Sequence, residues 1–549
     1  MDSPLRKLAR WFLSSGRWET AVLIVLIVVA PFLTFYNLEF NPRPWHDEGA
    51  FLSVPKTLVQ DGVYATRSSD GYQTFGPVQS MGPTVLLPVA LSFRLFGIGL
   101  VQARLVSASY ALLALAVFYK CGLELFGRRT ALIAVILLLA SPAVGFLLYG
   151  RPVLGEVPAL GFFLLGWLAW ARGIRTGRKW WYPLAGLFIG AAMVTKTQYI
   201  VVGFGTLVLL AILDQFYYRQ KSLWGLIVVG LISLICVAAW WGWQAAYFGL
   251  GTFLENAAKL RQLAASTTGF RLHTTVEAIK LLVGSGSGYF YFFWGFLALI
   301  YGAFLCRGRN KDSLVRAFLL LFAVLWLGYF TFWIIPWSRY ILPAAAITAL
   351  FVGAMWNDLA AGYAASHRDL WSEIRRSGSA GSPLTPQALL SLGTLVALVS
   401  MGLLVGYHLQ RIVRSDVLDK VGQESVYAVS PPQLASPSQL ALILNEKIGK
   451  DEVIETWDRE MSILTDHRYH FPDQSLLART DVFIYHAGAR DYVLGSDYFN
   501  QVRPSFVIVG WYSRWNQIYD MDFLTKYGDL VTTVGEGEWR YDVYKLHLP

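Results

Sequence analysis

The chain has 549 residues, 55% of them hydrophobic and only 15% charged, with a mean hydropathy of +0.45. One aqueous domain cannot bury that much apolar surface, which excludes a soluble globular protein. The formal net charge of +10 calls for no nucleic-acid partner, because the basic residues sit in short connections between apolar runs, where they orient a membrane protein.

Arg6, Lys7, Arg10 and Arg17 precede the first apolar run, Ala21 to Tyr36. This resembles the start of a signal peptide, but no small-residue cleavage site follows, so the run is expected to stay as the first helix. Further basic groups lie at Arg128 and Arg129; at Arg172, Arg175, Arg178 and Lys179; at Arg219 and Lys221; at Arg307, Arg309 and Lys311; and at Arg368, Arg375 and Arg376. Placing all of them on the cytoplasmic side with the N-terminus predicts a polytopic α-helical, multi-pass cell-membrane protein of about eleven transmembrane helices. These run over 19–38, 100–123, 130–149, 156–173, 180–195, 198–217, 223–247, 284–305, 314–335, 338–357 and 387–408.

Between the first two helices, residues 39–99 form an outer loop. Within it Pro83–Phe96 is apolar but short, interrupted by Pro88 and Arg94, and reads as a juxtamembrane or re-entrant helix. Phe248–Leu282 mixes Glu255, Lys259 and Arg261 with Phe253, Leu254 and Leu260, which suits an amphipathic helix in the interface. Beyond residue 408 the composition turns mixed through Ser430–Ser438, giving two domains, 1–408 and 409–549. The second is a small soluble α/β domain of about 140 residues, with β-like runs at Asp481–Tyr485, Ser505–Trp511 and Arg540–Leu548. Helix parity places it outside the cytoplasm. Cys121, Cys236 and Cys306 all fall in or beside predicted helices, which leaves this domain no disulfide.

Under this topology several polar outliers share the outer helix ends. Asp47 and Glu48 lie in Trp45–Gly49 just after helix one; Arg151 and Glu156 lie between the third and fourth helices; Lys196 follows the fifth; Arg339 and Tyr340 open the tenth. Charge this dense at a membrane exit is costly unless it is used. Carboxylates and cations together suit transfer from a lipid-linked phosphate: cations hold the leaving phosphate while a carboxylate deprotonates an acceptor hydroxyl. Each residue also has a structural reading. Asp47 could cap a helix, Arg151 and Glu156 could pair locally, Lys196 could snorkel, and Arg339 beside Trp337 and Tyr340 could anchor the interface. His46 reads as a hydrogen-bonding neighbour before a metal ligand.

Ala238–Trp243 reads as an aromatic belt first and a sugar-stacking surface second. Trp457–Glu460 and Thr465–His470 read as solvated loops before acceptor recognition, and His467 with His470 lacks the further ligands a metal site needs.

Several motifs together resemble the GT-C membrane glycosyltransferases that use polyprenyl-phosphate sugars. The similarity is to the bacterial branch that includes the lipid A aminoarabinose transferase and, more distantly, to the protein O-mannosyltransferases. It rests on His46-Asp47-Glu48-Gly49, Gly82-Pro83 leading into Leu91–Gly97, and Ala103-Arg104-Leu105. It continues through Leu125–Arg129, Ser141-Pro142, Arg151 with Glu156, Thr195-Lys196 and Arg339–Pro343, in family order over roughly the first 350 residues. The resemblance implies Asp47, Glu48 and Glu156 as catalytic acids, with Asp47 as base or acceptor-orienting carboxylate. It implies Arg151, Lys196 and Arg339 on the donor phosphate, and His46 and Tyr340 as substrate contacts. Two departures stand out: Met81-Gly82 where a Lys is typical before the Pro, and Glu156 where Asp is common.

The expected function is therefore a glycosyltransferase taking a sugar from an outward-facing polyprenyl phosphate to a glycolipid, polysaccharide or protein hydroxyl. A lipid carrier presents the sugar at the interface, so no nucleotide-binding domain is needed, and no convincing Gly-rich phosphate loop is present. No cofactor is required by the sequence; a divalent metal is compatible with carboxylates meeting a phosphate. The alternative is a transporter or flippase of lipid-linked sugars, using the same cations without chemistry.

Overall fold

The computed structural model describes residues 17–141, 145–283, 290–380, 385–411, 436–486 and 490–548. Arg6, Lys7, Arg10, Pro142 and most of Ser430–Ser438 lie outside the described residues. Among the described residues seven helices are long and apolar enough to cross a membrane: Trp18–Phe35, Leu100–Phe126, Glu156–Thr176, Gln198–Tyr218, Leu223–Phe248, Lys311–Phe332 and Ser338–Tyr363. Trp181–Thr195, Tyr291–Leu305 and Pro386–Ser400 are shorter apolar helices at predicted positions.

The predicted helix 130–149 is broken. Arg128–Ala140 ends where Ser141 turns extended, as the residue before a proline tends to do, and Phe146–Gly150 is a separate short turn. The predicted helix 338–357 opens with a 3-10 turn at Ser338–Ile341 and then runs from Leu342 to Ala380. Small residues let the helices close on one another: a Cβ at Gly186 or Gly190 would lie 2.6 or 2.7 Å from Ile232 or Cys236, the close approach that replaces hydrophobic driving force between membrane helices.

Basic connections gather at one end of the bundle. Arg129 Nε lies 2.6 Å from Glu19 Oε1, Arg175 lies 3.0 Å from both Glu124 and Asp312, and Gln220 donates to the Arg309 carbonyl at 3.0 Å. At the other end residues 39–99 fold into helix His46–Asp61, a hairpin of β1 (Thr66–Ser68) and β2 (Gly71–Gln73), and helix Pro83–Phe96. That last helix buries Val85, Leu86, Val89 and Phe93 while leaving Leu87, Leu91 and Leu95 exposed, an apolar outer stripe suited to the membrane interface. Helices Leu250–Thr267 and Leu272–Val283 follow at the same end.

Residues 436–548 build a mixed five-stranded sheet from β3 (Val453–Thr456), β4 (Arg468–His470), β5 (Phe506–Val509), β6 (Gly528–Val534) and β7 (Tyr541–Leu546), in the order β4-β3-β5-β7-β6. β3 runs parallel to β4 and β5, and β7 antiparallel to β5 and β6. β5 is buried throughout because both faces are covered: Phe506 and Ile508 join one core, Val507 and Val509 the other. The expected strand at 481–485 is instead part of helix Leu476–His486. Leu476, Leu477 and Phe483 pack on the second core, and that helical spacing overrides the β propensity of Asp481–Tyr485.

This unit is clamped to the 39–99 loop. Ser69 N donates to the Tyr469 carbonyl at 2.8 Å and Gln73 Nε2 to the Phe471 carbonyl at 2.8 Å. Lys56 Nζ reaches the Ser462 carbonyl at 2.6 Å and Asp466 at 2.8 Å.

Candidate active site

Helix His46–Asp61 begins after Trp45, whose side chain makes no cap, so Asp47 is not the N-cap but lies in the first turn. Consecutive helical residues point about 100° apart, and Asp47 and Glu48 accordingly face different partners. Asp47 forms an ion pair with Arg339. Arg339 Nε also lies 3.5 Å from Glu156 Oε1, and Lys196 Nζ lies 2.9 Å from the same oxygen. Four residues from four distant segments therefore make one chain of alternating charge.

Each is set by its local backbone. Arg339 sits in the 3-10 turn Ser338–Ile341, and Glu156 opens helix Glu156–Thr176. Lys196 follows helix Trp181–Thr195 in extended conformation, bridged to Met81. Gly82 lies against the Val194 carbonyl too closely for any Cβ, and Thr84 and Thr195 share a hydroxyl hydrogen bond of 2.6 Å. The Met81-Gly82 departure thus has a steric reason: a side chain at 82 would push this strand of contacts away from Lys196.

Arg339, Glu156 and Lys196 are nearly buried, whereas the Asp47 side chain keeps 22% exposure. Two carboxylates balance two cations, which is what allows charges to be kept out of water. Arg339 is caged by Trp45, Trp337 and Tyr340, whose ring centres lie 5.3, 5.0 and 5.1 Å from its guanidinium carbon. Burial pushes the Asp47 carboxyl up, but Arg339 and, further off, Lys196 hold it below its ordinary value. It is an anion at neutral pH.

The other candidates are placed differently. Glu48 is fully buried and accepts from Arg104 Nε at 2.8 Å and Nη2 at 2.5 Å, and from Val153 N at 3.1 Å. Its carboxylate therefore faces away from the charge chain and ties the 39–99 loop to helix Leu100–Phe126. Arg151 is buried and donates to the Tyr36 carbonyl. Tyr340 accepts from Arg339 at 3.4 Å and lies 5.9 Å from Lys196 Nζ. His46 is buried, stacked on Tyr512 at 3.5 Å, and donates from Nδ1 to the Trp457 carbonyl at 2.6 Å. Burial lowers its pKa from 6.5 to about 3, so it is a neutral docking residue for the C-terminal unit.

Two contributors were not read from the sequence. Arg104 carried only a motif match, although an arginine inside an apolar helix is itself a signal of a buried partner. The segment Trp457–Glu460, expected as a solvated loop, is buried, and its Arg459–Glu460 backbone lies on Gly49 so closely that no Cβ fits. His467 and His470 do not face a common point: His467 Nε2 contacts the Ile448 carbonyl at 3.1 Å and His470 Nδ1 contacts Glu455 at 2.5 Å. Among the described residues no three His, Cys, Asp or Glu side chains gather as a metal-ligand set.

Glu460 accepts from Tyr541 at 2.5 Å. Burial, with Asp458 nearby, raises its pKa from 4.5 to about 8. The folded protein thus keeps a proton that the unfolded chain releases between these values. The contribution to stability is full below about pH 4.5 and declines as pH rises through about 8. Glu460→Gln is expected to reduce the loss of thermal stability between about pH 5 and about pH 8, measured as the difference in Tm.

An apolar recess of about 250 Å³ lies beside this cluster, lined by Pro42, Arg43, Trp45, Leu148, Tyr149, Pro152, Leu154 and Trp539. Trp45 is shared between the recess and the Arg339 cage.

The profile of the family described as dolichyl-phosphate-mannose-protein mannosyltransferase matches residues 80–243. No curated protein sequence matches the chain. The fold is similar to that of ArnT from Cupriavidus metallidurans in the apo state, with TM-score 0.60 and 16% identity over 96% of this chain and 98% of that one. The same protein bound to undecaprenyl phosphate gives TM-score 0.59 at 15% identity, with the same coverage. The archaeal oligosaccharyltransferase AglB from Archaeoglobus fulgidus, in complex with an inhibitory peptide and a dolichol-phosphate, gives 0.53 at 13% identity over 98% of this chain and 75% of that one. The chain has the GT-C membrane glycosyltransferase fold, with a small C-terminal α/β unit.

Proposed function

We propose that this protein is a glycosyltransferase that moves a hexosyl or pentosyl group from a polyprenyl-phosphate donor to an acceptor hydroxyl at the outer face of the cytoplasmic membrane. The observation that carries the reading is the buried charge chain of Asp47, Arg339, Glu156 and Lys196. A phosphate entering beside Arg339 and Lys196 competes with the carboxylates for both cations. That frees Asp47 from its ion pair and restores its basicity. Asp47 then takes the acceptor hydroxyl's proton as the hydroxyl oxygen bonds to the anomeric carbon. The bond from that carbon to the phosphate oxygen breaks, and the phosphate leaves against Arg339 and Lys196.

Glu156 holds the two cations in place, and Glu48 holds the loop that bears Asp47. The apolar recess at Trp45 and Tyr149 suits the first isoprene units of the carrier. Similarity to a fold seen with undecaprenyl phosphate in ArnT supports the same class of donor. The basic connections at the opposite end of the bundle support an extracytoplasmic position for this site and for the C-terminal unit.

Native mass spectrometry of the purified protein, after incubation with undecaprenyl phosphate, tests the donor site. The unmodified protein is expected to retain the lipid, and Lys196→Met to reduce retention about tenfold or more, as loss of a charge-assisted contact implies. Equal retention by both proteins would remove Lys196 from the phosphate site.

A further inference from the structure

A second cavity, of about 700 Å³, lies between the β1–β2 hairpin, helix Leu250–Thr267 and the C-terminal unit. The proposed transfer chemistry uses none of its walls. Its ionisable lining carries no positive excess, with Lys259, Arg468 and His470 set against Asp70, Glu255 and Asp473. Lys259 is already paired, 2.9 Å from Glu255 and 3.8 Å from Asp473. Such a wall gives no net attraction for a polyanion. It also carries aromatic faces, Tyr72 on exposed β2 and Tyr498, together with amide side chains at Gln73 and Gln501.

One wall is held by a buried network. Glu455 is fully buried and accepts from Tyr498 at 3.0 Å, Tyr519 at 2.9 Å and His470 at 2.5 Å. His470 Nε2 points on to Asp70 at 3.3 Å. A buried carboxylate is costly unless its hydrogen bonds set something in place, and this one fixes Tyr498 and His470 at the cavity surface. Paired carboxylates, amides and hydroxyls that both donate and accept, set beside aromatic faces, match the hydroxyls and the C–H faces of sugar rings. Contacts also lead from the cavity toward the helix that bears Asp47. Gln73, which lines it, accepts from Arg459 at 2.8 Å, and the Arg459–Glu460 backbone rests on Gly49, two residues beyond Asp47.

We propose that this cavity binds a neutral, hydroxyl-rich oligosaccharide. Its role as the acceptor's carbohydrate rests on the transferase reading above, whereas the binding itself does not. The full-length protein, labelled and held in detergent micelles without donor, is applied to an array of neutral and anionic oligosaccharides. Capture is expected on neutral glycans. Tyr72→Ala, at an exposed position, is expected to weaken it roughly five- to tenfold, and Tyr72→Phe, which keeps the ring, to preserve it. Absence of capture, capture confined to anionic glycans, or indifference to Tyr72→Ala overturns the proposal. Because no donor is present, a protein that transfers sugar yet captures nothing loses only this inference, and one that captures glycan without turnover loses only the transferase reading.

Discussion

Asp47→Asn is expected to lower turnover with a polyprenyl-phosphate sugar by about 10²- to 10⁴-fold, the range for loss of a general base, while donor binding is retained. Asparagine keeps the size of the side chain and can still accept from Arg339, so that contact persists although one negative charge of the cluster is lost. What it lacks is a site for the acceptor's proton. Glu156→Gln makes the contrast. Glu156 touches both Lys196 and Arg339 and is nearly buried, so its loss leaves two cations with less to hold them, and the expected effect falls more on donor KM than on kcat. Steady-state kinetics of the two variants separates the roles. Normal turnover by Asp47→Asn would sink the catalytic assignment, and lipid translocation without any transfer in the unmodified protein would replace it with the flippase reading.

Arg104→Met is expected to destabilise the protein by about 3–5 kcal/mol. Both side chains of the Arg104–Glu48 pair are fully buried, so removing the guanidinium strands a carboxylate with only the Val153 N–H for company, and frees the Leu38 carbonyl that Arg104 Nη1 now bonds at 2.7 Å. A lowered thermal unfolding midpoint reports this directly. Adding Glu48→Leu to Arg104→Met is expected to recover part of the loss, since removing both charges costs less than removing one. Recovery stays incomplete because the Val153 N–H and the Leu38 carbonyl remain without partners. An Arg104→Met protein as stable as the parent would show that the pair contributes little to holding the outer loop.

The class of the molecule was legible from residues alone. Hydropathy and the placement of lysine and arginine are local properties, and they located the apolar helices, the long loop over 39–99 and the polar outliers at one end. Where the reading failed, a nearby competitor won: Ser141 before Pro142 ended a helix drawn too long, and the core contacts of Leu476, Leu477 and Phe483 turned an expected strand into a helix.

Which outliers meet is another matter. Asp47 and Arg339 are 292 residues apart, and nothing in the pattern around either one encodes the crossing of helices that joins them. Asp47 and Glu48 are chemically alike and adjacent, yet one faces Arg339 and the other Arg104, because a helix turns them toward different neighbours. The burial of Trp457–Glu460 against Gly49 likewise exists only once residues 436–548 pack on the helix that begins at His46. Composition and charge could say that this chain lives in a membrane with polar outliers at helix ends; packing across hundreds of residues decided which of those charges share a site.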